Sequence, residues 1–468
     1  MTYVIDDTIV ALSTPSGLGA IGVIRLSGPA AISICDHFFY GQNLGKVAGN
    51  TVHYGKIKSE QGHIIDECVA TVFRSPRSYT KEDVVEISCH GSPYIIEQII
   101  ALAVAGGARM ARQGEFTLRA FVNGQLDLTR AEAVADLIAS DNEQSHMLAM
   151  RQMRGGFSDE IADLRQELID FAALIELELD FGEEDVEFAD RSKLEGLIRR
   201  IQMVLQRLID SFALGNVIKH GVSTVIAGRP NAGKSTLLNA LLNDERAIVS
   251  DIAGTTRDTI EEGLTIRGIR FRLIDTAGIR EAQDQIERIG VARTLDEISK
   301  SALVIYVFDV TQSRPADLWA DVERFLDASK VLTAGGSRIF VANKMDLLPY
   351  TRPEDYYKEG LVNGDNLITI SAKNRMNIPY LQEKLFQTVI GRQDLQDQTI
   401  VSNARHHAAL TSAMSSLDQV LAGLVGGLTG DLIALDIRQA LHYLGEITGE
   451  IHTDDLLESI FSKFCIGK

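Results

Sequence analysis

Apolar residues follow different patterns in successive parts of the chain. Residues 1 to about 118 carry short apolar runs that Gly, Ser and Pro interrupt, and these predict the strands of a mixed α/β domain. From about 119 to 215 the apolar positions recur with helical spacing, most regularly between Leu194 and Phe212, which predicts the core stripe of a helical bundle. The strand-like runs of the first part are Ile21 to Leu26, Val69 to Phe73 and Val84 to Ser88.

Helical spacing returns from about 402 to 464, after the polar linker Arg392 to Gln398. The simplest topology joins the two helical stretches into one bundle, with the intervening module inserted into it. A movement of that module would then reach the helices on both sides. We therefore divide the chain into an N-terminal α/β domain (1–118), a first helical part (119–216), an inserted module (217–390) and a second helical part with the C-terminal tail (391–468).

The inserted module contains a phosphate-binding loop. The sequence Gly228-Arg-Pro-Asn-Ala-Gly-Lys-Ser235 lies between the apolar run Val222 to Ala227 and the amphipathic run Thr236 to Leu242. A strand, a glycine-containing loop and a helix in this order form the context that a Walker A motif requires. Backbone N–H groups and the helix N-terminus then face the negative charge of the phosphates. Lys234 is expected at the β- and γ-phosphates, and Ser235 at Mg²⁺.

Three further nucleotide motifs follow, each directly after a strand-like run. In Asp275-Thr-Ala-Gly278 the aspartate can hold the Mg²⁺ shell and the glycine amide can sense the γ-phosphate. In Asn343-Lys-Met-Asp346 the carboxylate can accept hydrogen bonds from N1 and the exocyclic amine of guanine, a pair that adenine does not offer. In Ser371-Ala-Lys373 a backbone amide can read the guanine oxygen. Four such motifs in this order predict a Ras-like P-loop GTPase domain.

Hydrolysis by this domain needs an unusual source of positive charge. Ser250-Asp-Ile-Ala-Gly-Thr-Thr-Arg-Asp258 is expected to be switch I, with Thr256 on Mg²⁺. The residue after the second motif is Ile279, which cannot orient water as the glutamine of many Ras-like switches does. Arg257 and Arg280 are nearby candidates for the positive charge, but the sequence does not assign either as an arginine finger. Asn231 and the backbone carbonyls of switch I offer several oxygens, and such a set suits a monovalent cation.

Charge and cysteine content narrow the class of protein. The chain has 468 residues, of which 45% are hydrophobic and 24% charged, as in an ordinary globular protein. A net charge of −18 argues against a surface that binds nucleic acid as a whole, so RNA contact would need a confined patch or a partner. The four cysteines lack CxxC pairing and metal-ligand spacing, and the first residues do not resemble a secretory signal, so a cytoplasmic protein is expected. The longest apolar run, Ala302 to Phe308, is too short to span a bilayer.

Several motifs together resemble a known family. The phosphate loop with its continuation Thr-Leu-Leu-Asn239, the switch I sequence and Ile286-Glu-Arg-Ile-Gly290 are similar to those of potassium-activated GTPases. The C-terminal Phe464-Cys-Ile-Gly-Lys468 and the inserted topology narrow the resemblance to the MnmE/TrmE family of tRNA uridine-modification GTPases. The match covers essentially the whole chain and includes Thr14 to Gly17, Asp83 to Glu86, Gly114 to Phe116 and Asp127 to Ala133.

The resemblance implies a fold of three parts and a cation-assisted mechanism. The N-terminal domain is expected to have a tetrahydrofolate-binding fold and to form a homodimer, across which GTP brings the two GTPase domains together. K⁺, in the role of an arginine finger, is expected on Asn231, Ser250, Ile252 and Thr255, and Mg²⁺ on Ser235 and Thr256. Glu287 matches a glutamate that positions the attacking water. Together with it, the expected catalytic residues are Lys234, Asp275, Thr256 and Cys465. The expected GTP contacts are Asn231, Ala232, Gly233, Lys234, Ser235, Thr236, Ser250, Asp251, Ile252, Ala253, Gly254, Thr255, Thr256, Asp275, Thr276, Ala277, Gly278, Asn343, Lys344, Met345, Asp346, Ser371, Ala372 and Lys373.

The resemblance also implies a folate site and a partner enzyme. Arg25, Glu86 and Lys468 correspond to folate contacts, and Gln125 stands where many relatives carry a basic residue, so its hydrogen bond would be uncharged and weaker. The family forms an aminomethyl-type (carboxymethylaminomethyl) group on C5 of the wobble uridine of certain tRNAs. It does so with an FAD- and NADH-dependent partner, MnmG (GidA), and a one-carbon unit from a 5-formyl- or methylene-type tetrahydrofolate. Cys465 is either a thiol nucleophile beside the folate or a packing residue that fixes the tail.

Two other classes share the nucleotide motifs. A regulatory switch such as a ribosome-assembly GTPase lacks the folate-like domain and the C-terminal tail, and it usually adds a basic RNA-binding module that this sequence does not show. A membrane-remodelling GTPase needs an amphipathic basic stretch or an apolar anchor, and the sequence shows neither. An enzyme without membrane contact is therefore the favoured interpretation.

Overall fold

The chain folds into two compact units. The computed structural model describes residues 6–180, 191–242, 261–275, 302–312, 314–329, 337–391 and 399–467. The first unit comprises Met1–Ile138, Met150–Leu205 and Ala408–Lys468, and the second comprises Ala139–Ala149 and Gln206–His407. The domain limits 1–118, 119–216, 217–390 and 391–468 stay a prediction.

A seven-stranded sheet forms the N-terminal part of the first unit. Its strands are β1 (Ile9–Leu12), β2 (Ile21–Ser27), β3 (Phe39–Tyr40), β4 (Thr51–Lys58), β5 (Ile64–Phe73), β6 (Val84–His90) and β7 (Arg109–Met110). They lie in the order β3-β4-β5-β6-β2-β1-β7, and among these described strands only β1 and β7 run parallel. The three strands expected in this region are confirmed, each at least one residue longer than its apolar run.

Helices cover both sides of this sheet near β1 and β2. Ala31–Phe38 and Pro93–Ala105 pack on one face, where their apolar residues share a core with Val10, Ile24 and Ile87. Because side chains alternate along a strand, the neighbours of Val10 point to the other face. There Ile9 and Ala11 contact Phe116, in the helix Glu115–Val122.

Long helices form a bundle in the first unit. Apolar residues of the long helix Arg191–His220 recur on one face and are buried, as its sequence pattern predicts: Leu194, Ile198, Ile201 and Leu205. Helix Gly156–Asp180, which precedes the inserted module, packs along Gly430–Thr448, which follows it. Besides the three helices named above for the N-terminal domain, the described α-helices that lie wholly or mostly outside residues 217–390 are Leu128–Ala139, Glu143–Met153, Gly156–Asp180, Arg191–His220, Ala404–Gly426, Gly430–Thr448 and Asp454–Phe461.

Helix Ala404–Gly426 is long and apolar enough to cross a membrane by length and composition alone. Four of its buried residues, Leu410, Ala413, Leu417 and Val420, recur every three or four positions. This is the spacing of a helix with one face in a protein core.

A parallel sheet with one antiparallel edge strand forms the second unit. Its described strands are β8 (Val222–Ala227), β9 (Glu261–Ile266), β10 (Ile269–Asp275), β11 (Leu303–Asp309), β12 (Ser337–Asn343) and β13 (Leu367–Thr369). The order is β13-β12-β11-β8-β10-β9, and all described pairs except β9 with β10 are parallel. Helices Lys234–Leu242 and Ile378–Ile390 pack on one face and Pro315–Ser329 on the other. The carboxyl ends of β8, β11, β12 and β13 therefore meet at one edge, where doubly wound sheets bind ligands.

The stretch Ala139–Ala149 belongs to this second unit although it lies far from it in sequence. Asp141 forms an ion pair with Arg270 in β10, and Leu148 joins the apolar core that includes Phe271. Gln144 lies against Gly268, at the turn between β9 and β10. The helix that begins at Glu143 thus fixes the outer hairpin of the sheet.

Candidate functional site

The phosphate loop connects β8 to the helix Lys234–Leu242 and needs glycine at two positions. Gly228 and Gly233 have φ angles of 145° and 92°, and Asn231 has 63°. A Cβ atom at Gly228 would lie 2.0 Å from the carbonyl oxygen of Val307, and one at Gly233 would lie 2.3 Å from Asn343 Nδ2. Conformation and space therefore both require glycine, and the loop keeps close contact with the neighbouring strands.

The polar side chains at the end of this loop are those expected to contact phosphate and Mg²⁺. Lys234 Nζ donates hydrogen bonds to the carbonyl oxygens of Gly228 at 3.1 Å and Arg229 at 3.0 Å, so its charge lies against the loop. Ser235 and Thr236 are exposed in the first turn of the helix. The free N–H groups at the start of a helix favour anions, which suits the expected phosphate contacts.

Asn343 links the phosphate loop to the two loops expected to read guanine. Its Nδ2 donates to the carbonyl oxygen of Ala232 at 2.9 Å. Its Oδ1 accepts from the backbone N–H groups of Lys344 at 2.8 Å and Ala372 at 3.0 Å. Asn343 is only 2% exposed, so these three bonds stand in place of bonds to water. Three of the predicted motifs therefore meet at one amide.

The carboxylate of Asp346 is exposed and is held by a neighbouring loop. Ser371 Oγ donates to Asp346 Oδ1 at 2.6 Å, and the backbone N–H of Asn374 lies 3.3 Å from the same hydroxyl. Met345 N donates to the carbonyl of Ile370 at 3.1 Å, which ties the two loops together. An oriented carboxylate at this position suits the pair of donors on the edge of guanine. Lys373, two residues after Ser371, is also exposed.

A buried carboxylate behind the guanine loop did not belong to the predicted site. Asp309, the last residue of β11, is 4% exposed, and it accepts a hydrogen bond from Lys344 Nζ at 2.6 Å. Thr311 donates to the other oxygen from its backbone N–H at 2.8 Å and its hydroxyl at 2.6 Å. Burial alone would raise the pKa of Asp309, but the bonds from Lys344 and Thr311 hold it below its usual value. Its position at the end of a buried strand, like those of Asp275 and Asn343, is the signal that could have identified it.

Part of the predicted site lies outside the described residues. Those residues are Ser250, Asp251, Ile252, Ala253, Gly254, Thr255, Thr256, Thr276, Ala277, Gly278, Ile279, Glu287 and Lys468. Asp275 is described as the last residue of β10, without its side chain. Of the expected cation ligands the structure therefore describes Asn231 and Ser235, which are both exposed around the phosphate loop. Their hydroxyl and amide oxygens fit the hard cations Mg²⁺ and K⁺.

Two of the expected folate contacts lie together on the first sheet. Arg25 in β2 faces Glu86 in β6, with Arg25 Nε 2.8 Å and Nη2 2.7 Å from Glu86 Oε1. The guanidinium carbon lies 5.4 Å from the ring centre of Tyr79 and 5.6 Å from that of Phe116. A charged pair beside aromatic rings fits a flat heteroaromatic ligand with donors and acceptors on its edge, as in a pterin. Gln125 is exposed on the turn after helix Glu115–Val122.

The C-terminal tail lies along the end of β1. The backbone N–H of Gly114 donates to the carbonyl of Cys465 at 3.4 Å, and Ser13 Oγ donates to the carbonyl of Gly467 at 3.2 Å. Gly467 has a φ of 94°, and a Cβ atom there would lie 2.1 Å from the carbonyl oxygen of Leu12. Leu12 pairs with Ile24, the neighbour of Arg25, so the tail ends beside the strand that carries the expected folate contact.

Cys465 is exposed, whereas the other three cysteines are buried in the sheet domain. Burial raises the pKa of Cys68 to about 12 and that of Cys89 to about 11, and it raises the pKa of Cys35 as well. The buried thiols are therefore packing groups. Cys465 is the accessible thiol of the four, and its chemical role stays a prediction.

A second buried network fixes the helix that carries Phe116. Arg119 is fully buried, and its guanidinium donates to the carbonyl of Asp7 at 2.8 Å and to Asp7 Oδ1 at 2.6 Å. It also reaches Glu82 and Glu115, both at 3.2 Å. This network was not predicted from the sequence, although Glu115 and Arg119 stand at the i, i+4 spacing of a helical ion pair.

The edge of the second sheet thus brings together a phosphate-binding loop and a carboxylate oriented for guanine, and this combination defines a P-loop domain of the GTPase class. Comparison with known proteins adds the family. The profile of the MnmE helical domain matches residues 128–465, and that of the GTP-binding protein TrmE N-terminus matches residues 8–125. The chain belongs to the MnmE/TrmE family.

Full-length relatives and partial structural likenesses are both found. The tRNA modification GTPase MnmE of Cytophaga hutchinsonii is 55% identical over 462 residues, covering 99% of this chain and 98% of that protein. That of Flavobacterium johnsoniae is 52% identical over 468 residues, covering 99% of each. A GTP-binding protein from Sulfolobus solfataricus in complex with GDP is 21% identical with a TM-score of 0.29, covering 53% of this chain and 78% of that one. The G domain of the T. maritima FeoB iron transporter is 23% identical with a TM-score of 0.27, covering 36% of this chain and 98% of that one.

Proposed function

We propose that this protein hydrolyses GTP and uses the reaction in forming the C5 carboxymethylaminomethyl group on the wobble uridine of certain tRNAs. The observation that carries the first part is the guanine site, where Ser371 orients the Asp346 carboxylate and Asn343 ties it to the phosphate loop. The second part is supported by full-length relatives named tRNA modification GTPase at 55% and 52% identity.

Hydrolysis is proposed to depend on two cations. Lys234 binds the β- and γ-phosphates, Ser235 with Thr256 holds Mg²⁺, and Asp275 supports the Mg²⁺ shell. Asn231, with switch I oxygens of Ser250, Ile252 and Thr255, holds K⁺. A K⁺ ion bound there supplies the positive charge that an arginine finger supplies elsewhere. Glu287 positions the attacking water, and the GTPase domains of a homodimer meet when both cations and GTP are bound.

The modification chemistry is proposed to occur with a folate and a partner. Arg25, Glu86, Lys468 and Gln125 would hold a tetrahydrofolate, with the uncharged hydrogen bond of Gln125 the weakest of these contacts, and the folate would supply the one-carbon unit when bound. The FAD-dependent MnmG (GidA) supplies the redox step and much of the tRNA contact, which accords with a net charge of −18 on this chain. The complex is placed in the cytoplasm without membrane contact.

The main test is the nucleoside content of tRNA. Deletion of the gene should abolish C5-modified wobble uridine, measured by nucleoside mass spectrometry, and the wild-type gene should restore it. The Asp346→Asn variant, expressed in the deletion strain, should fail to restore the modified uridine. The reason is that the amide N–H groups of asparagine would face the donors of guanine. Glu323→Gln, which alters an exposed pair with Lys358 in the same domain, is the matched control and should restore it. Unchanged modification after deletion would favour a regulatory switch over an enzyme of this pathway.

The cation assignment has its own test. GTP hydrolysis should be many-fold faster in K⁺ than in Na⁺ at equal ionic strength. Asn231→Gly keeps the φ of 63° accessible but removes the amide oxygen, so it should abolish the difference between the two salts. Equal wild-type rates in K⁺ and Na⁺ would contradict the assignment without touching the GTPase proposal.

The folate site is tested by titration with 5-formyltetrahydrofolate. Arg25→Gln should weaken binding by at least about 10-fold, since it removes a charge-assisted bond and the cation beside two rings. Arg77→Gln, an exposed arginine of the same domain, is the control and should bind as the wild type does. Equal affinities for all three proteins would show that the pterin binds elsewhere.

A further inference from the structure

The Lys344 side chain, inside the guanine loop, is held from behind by a carboxylate that the nucleotide motifs do not include. Its ammonium group lies 2.6 Å from Asp309 Oδ2, and the side chain is 29% exposed. The second oxygen of Asp309 accepts two hydrogen bonds from Thr311, so the carboxylate cannot rotate away without losing them. The pair therefore fixes the far end of the Lys344 side chain.

The near end of the same side chain is fixed by the backbone. Lys344 has a φ of 67°, in the left-handed region that a lysine rarely adopts, and its N–H donates to Asn343 Oδ1 at 2.8 Å. Asp309 and Asn343 are also register partners in β11 and β12. With both ends fixed, the four-carbon stem has one course, from the loop of Asp346 towards the end of β11.

We propose that Asp309 is a positioning residue for nucleotide binding: together with Thr311 it holds the stem of Lys344 as a flat apolar surface against which the base packs. This rests on the proposed GTP-binding function. A long side chain loses rotamer freedom when a ligand packs on it, and a partner that has already fixed the side chain removes that cost. The ammonium group, neutralised by Asp309, leaves the methylene groups free to cover the base.

The affinity for the nucleotide and the discrimination between bases should depend on different residues. Packing on the stem depends on the face of the base, whereas discrimination depends on the exocyclic amine read by Asp346. Loss of Asp309 should therefore weaken guanine and hypoxanthine nucleotides by the same factor. Asp346→Asn, in contrast, should change the ratio between them.

The experiment measures the affinities of full-length variants for GDP and IDP by titration, with dissociation rates from displacement. Asp309→Asn, which keeps the shape of the side chain, should weaken both nucleotides about 10-fold through faster dissociation. Thr311→Val should give a smaller loss of the same kind. Glu323→Gln, at an exposed lysine–carboxylate pair of the same domain, should leave both affinities unchanged.

A double-mutant cycle tests whether Asp309 acts through Lys344. In a Lys344→Met background, Asp309→Asn should cost less than about 2-fold further, because the charge that it positions is already gone. A full additional 10-fold loss in that background, or wild-type affinity of Asp309→Asn alone, would overturn the proposal. If Asp309→Asn does not fold, the same cycle with Thr311→Val decides. Failure of the wild type to bind GDP would instead refute the proposed function.

Discussion

Asn343 is the side chain on which the nucleotide site most depends before any nucleotide binds. Asn343→Ala removes one donated and two accepted hydrogen bonds, and it leaves the Ala232 carbonyl and the Ala372 N–H without their partners. Ala232 and Ala372 are buried, whereas the third partner, Lys344, is half-buried and can bind water. The substitution should therefore loosen three loops at once.

The expected cost follows from those two buried groups. A buried donor or acceptor without a partner costs about 1–3 kcal/mol, so two cost about 2–6 kcal/mol. Water entering the space left by the amide would recover part of this, and we expect a loss of about 2–4 kcal/mol in the free energy of unfolding. With a urea dependence of about 3 kcal/mol per molar, the midpoint should fall by about 1 M.

The assay can be confined to the second unit because the chain has one tryptophan. Trp319 is buried in that unit, edge-on to Phe340 with ring centres 5.8 Å apart, so its fluorescence reports unfolding there. Urea titrations without nucleotide should compare the wild type, Asn343→Ala and the control Asn374→Ala, whose side chain is exposed in the neighbouring loop. If the free energy of unfolding of Asn343→Ala lies within about 0.5 kcal/mol of that of the control, the amide does not hold the loops together.

Three further predictions concern the first unit. Gly467→Ala should release the C-terminal tail, since its Cβ would lie 2.1 Å from the Leu12 carbonyl, and carboxypeptidase should then shorten the chain faster than in the wild type; equal rates would contradict the seating of the tail. At pH 8 a thiol reagent should modify Cys465 alone in the folded protein and all four cysteines in denaturant, because the other thiols are buried with raised pKa values. The pKa of Glu115 is lowered: burial alone would raise it, but the bond from Arg109 and further bonds outweigh this. Glu115 therefore stabilises the fold above about pH 4.5, its unfolded value, and this stability is lost as the pH falls through the folded value. Glu115→Gln should then unfold more easily than the wild type at pH 7, and the difference in unfolding free energy should shrink below pH 4; a constant difference would contradict the ionic role.

Elements with strong apolar patterning were predictable from the sequence. The run Val222 to Ala227 is β8 to the residue, and the runs before the guanine motifs correspond to β12 and β13. These strands are buried on both faces, so their apolar runs are continuous and bounded by the motif residues that follow. The short strands β3 and β7 have two residues each, too few for any period to be visible.

The stretch Ala139–Ala149 shows a different limit of sequence reasoning. Its helix begins at Glu143, within the first predicted helical part, and periodicity gives no sign that it packs in the second unit. Two of the contacts that place it there are the ion pair from Asp141 to Arg270 and the burial of Leu148 in the core that includes Phe271. Both involve partners more than a hundred positions away, which a local pattern cannot identify.

In the nucleotide site, the residues expected to contact the ligand were predictable from the sequence, whereas the residues that orient them were not. Motifs identify Asp346, because its chemistry must match guanine and so restricts the residue type. Ser371 was predicted as a GTP contact in a loop that reads guanine through a backbone amide, whereas in the structure its hydroxyl orients that carboxylate. Asp309 carries no motif because many side chains could hold a lysine from behind. Its place after the apolar run Ala302 to Phe308 marks the end of a strand, but only the structure shows its bond to Lys344. Residues that touch the ligand are thus constrained by the ligand, whereas residues that orient them are constrained only by their neighbours, and the latter require a structure to be found.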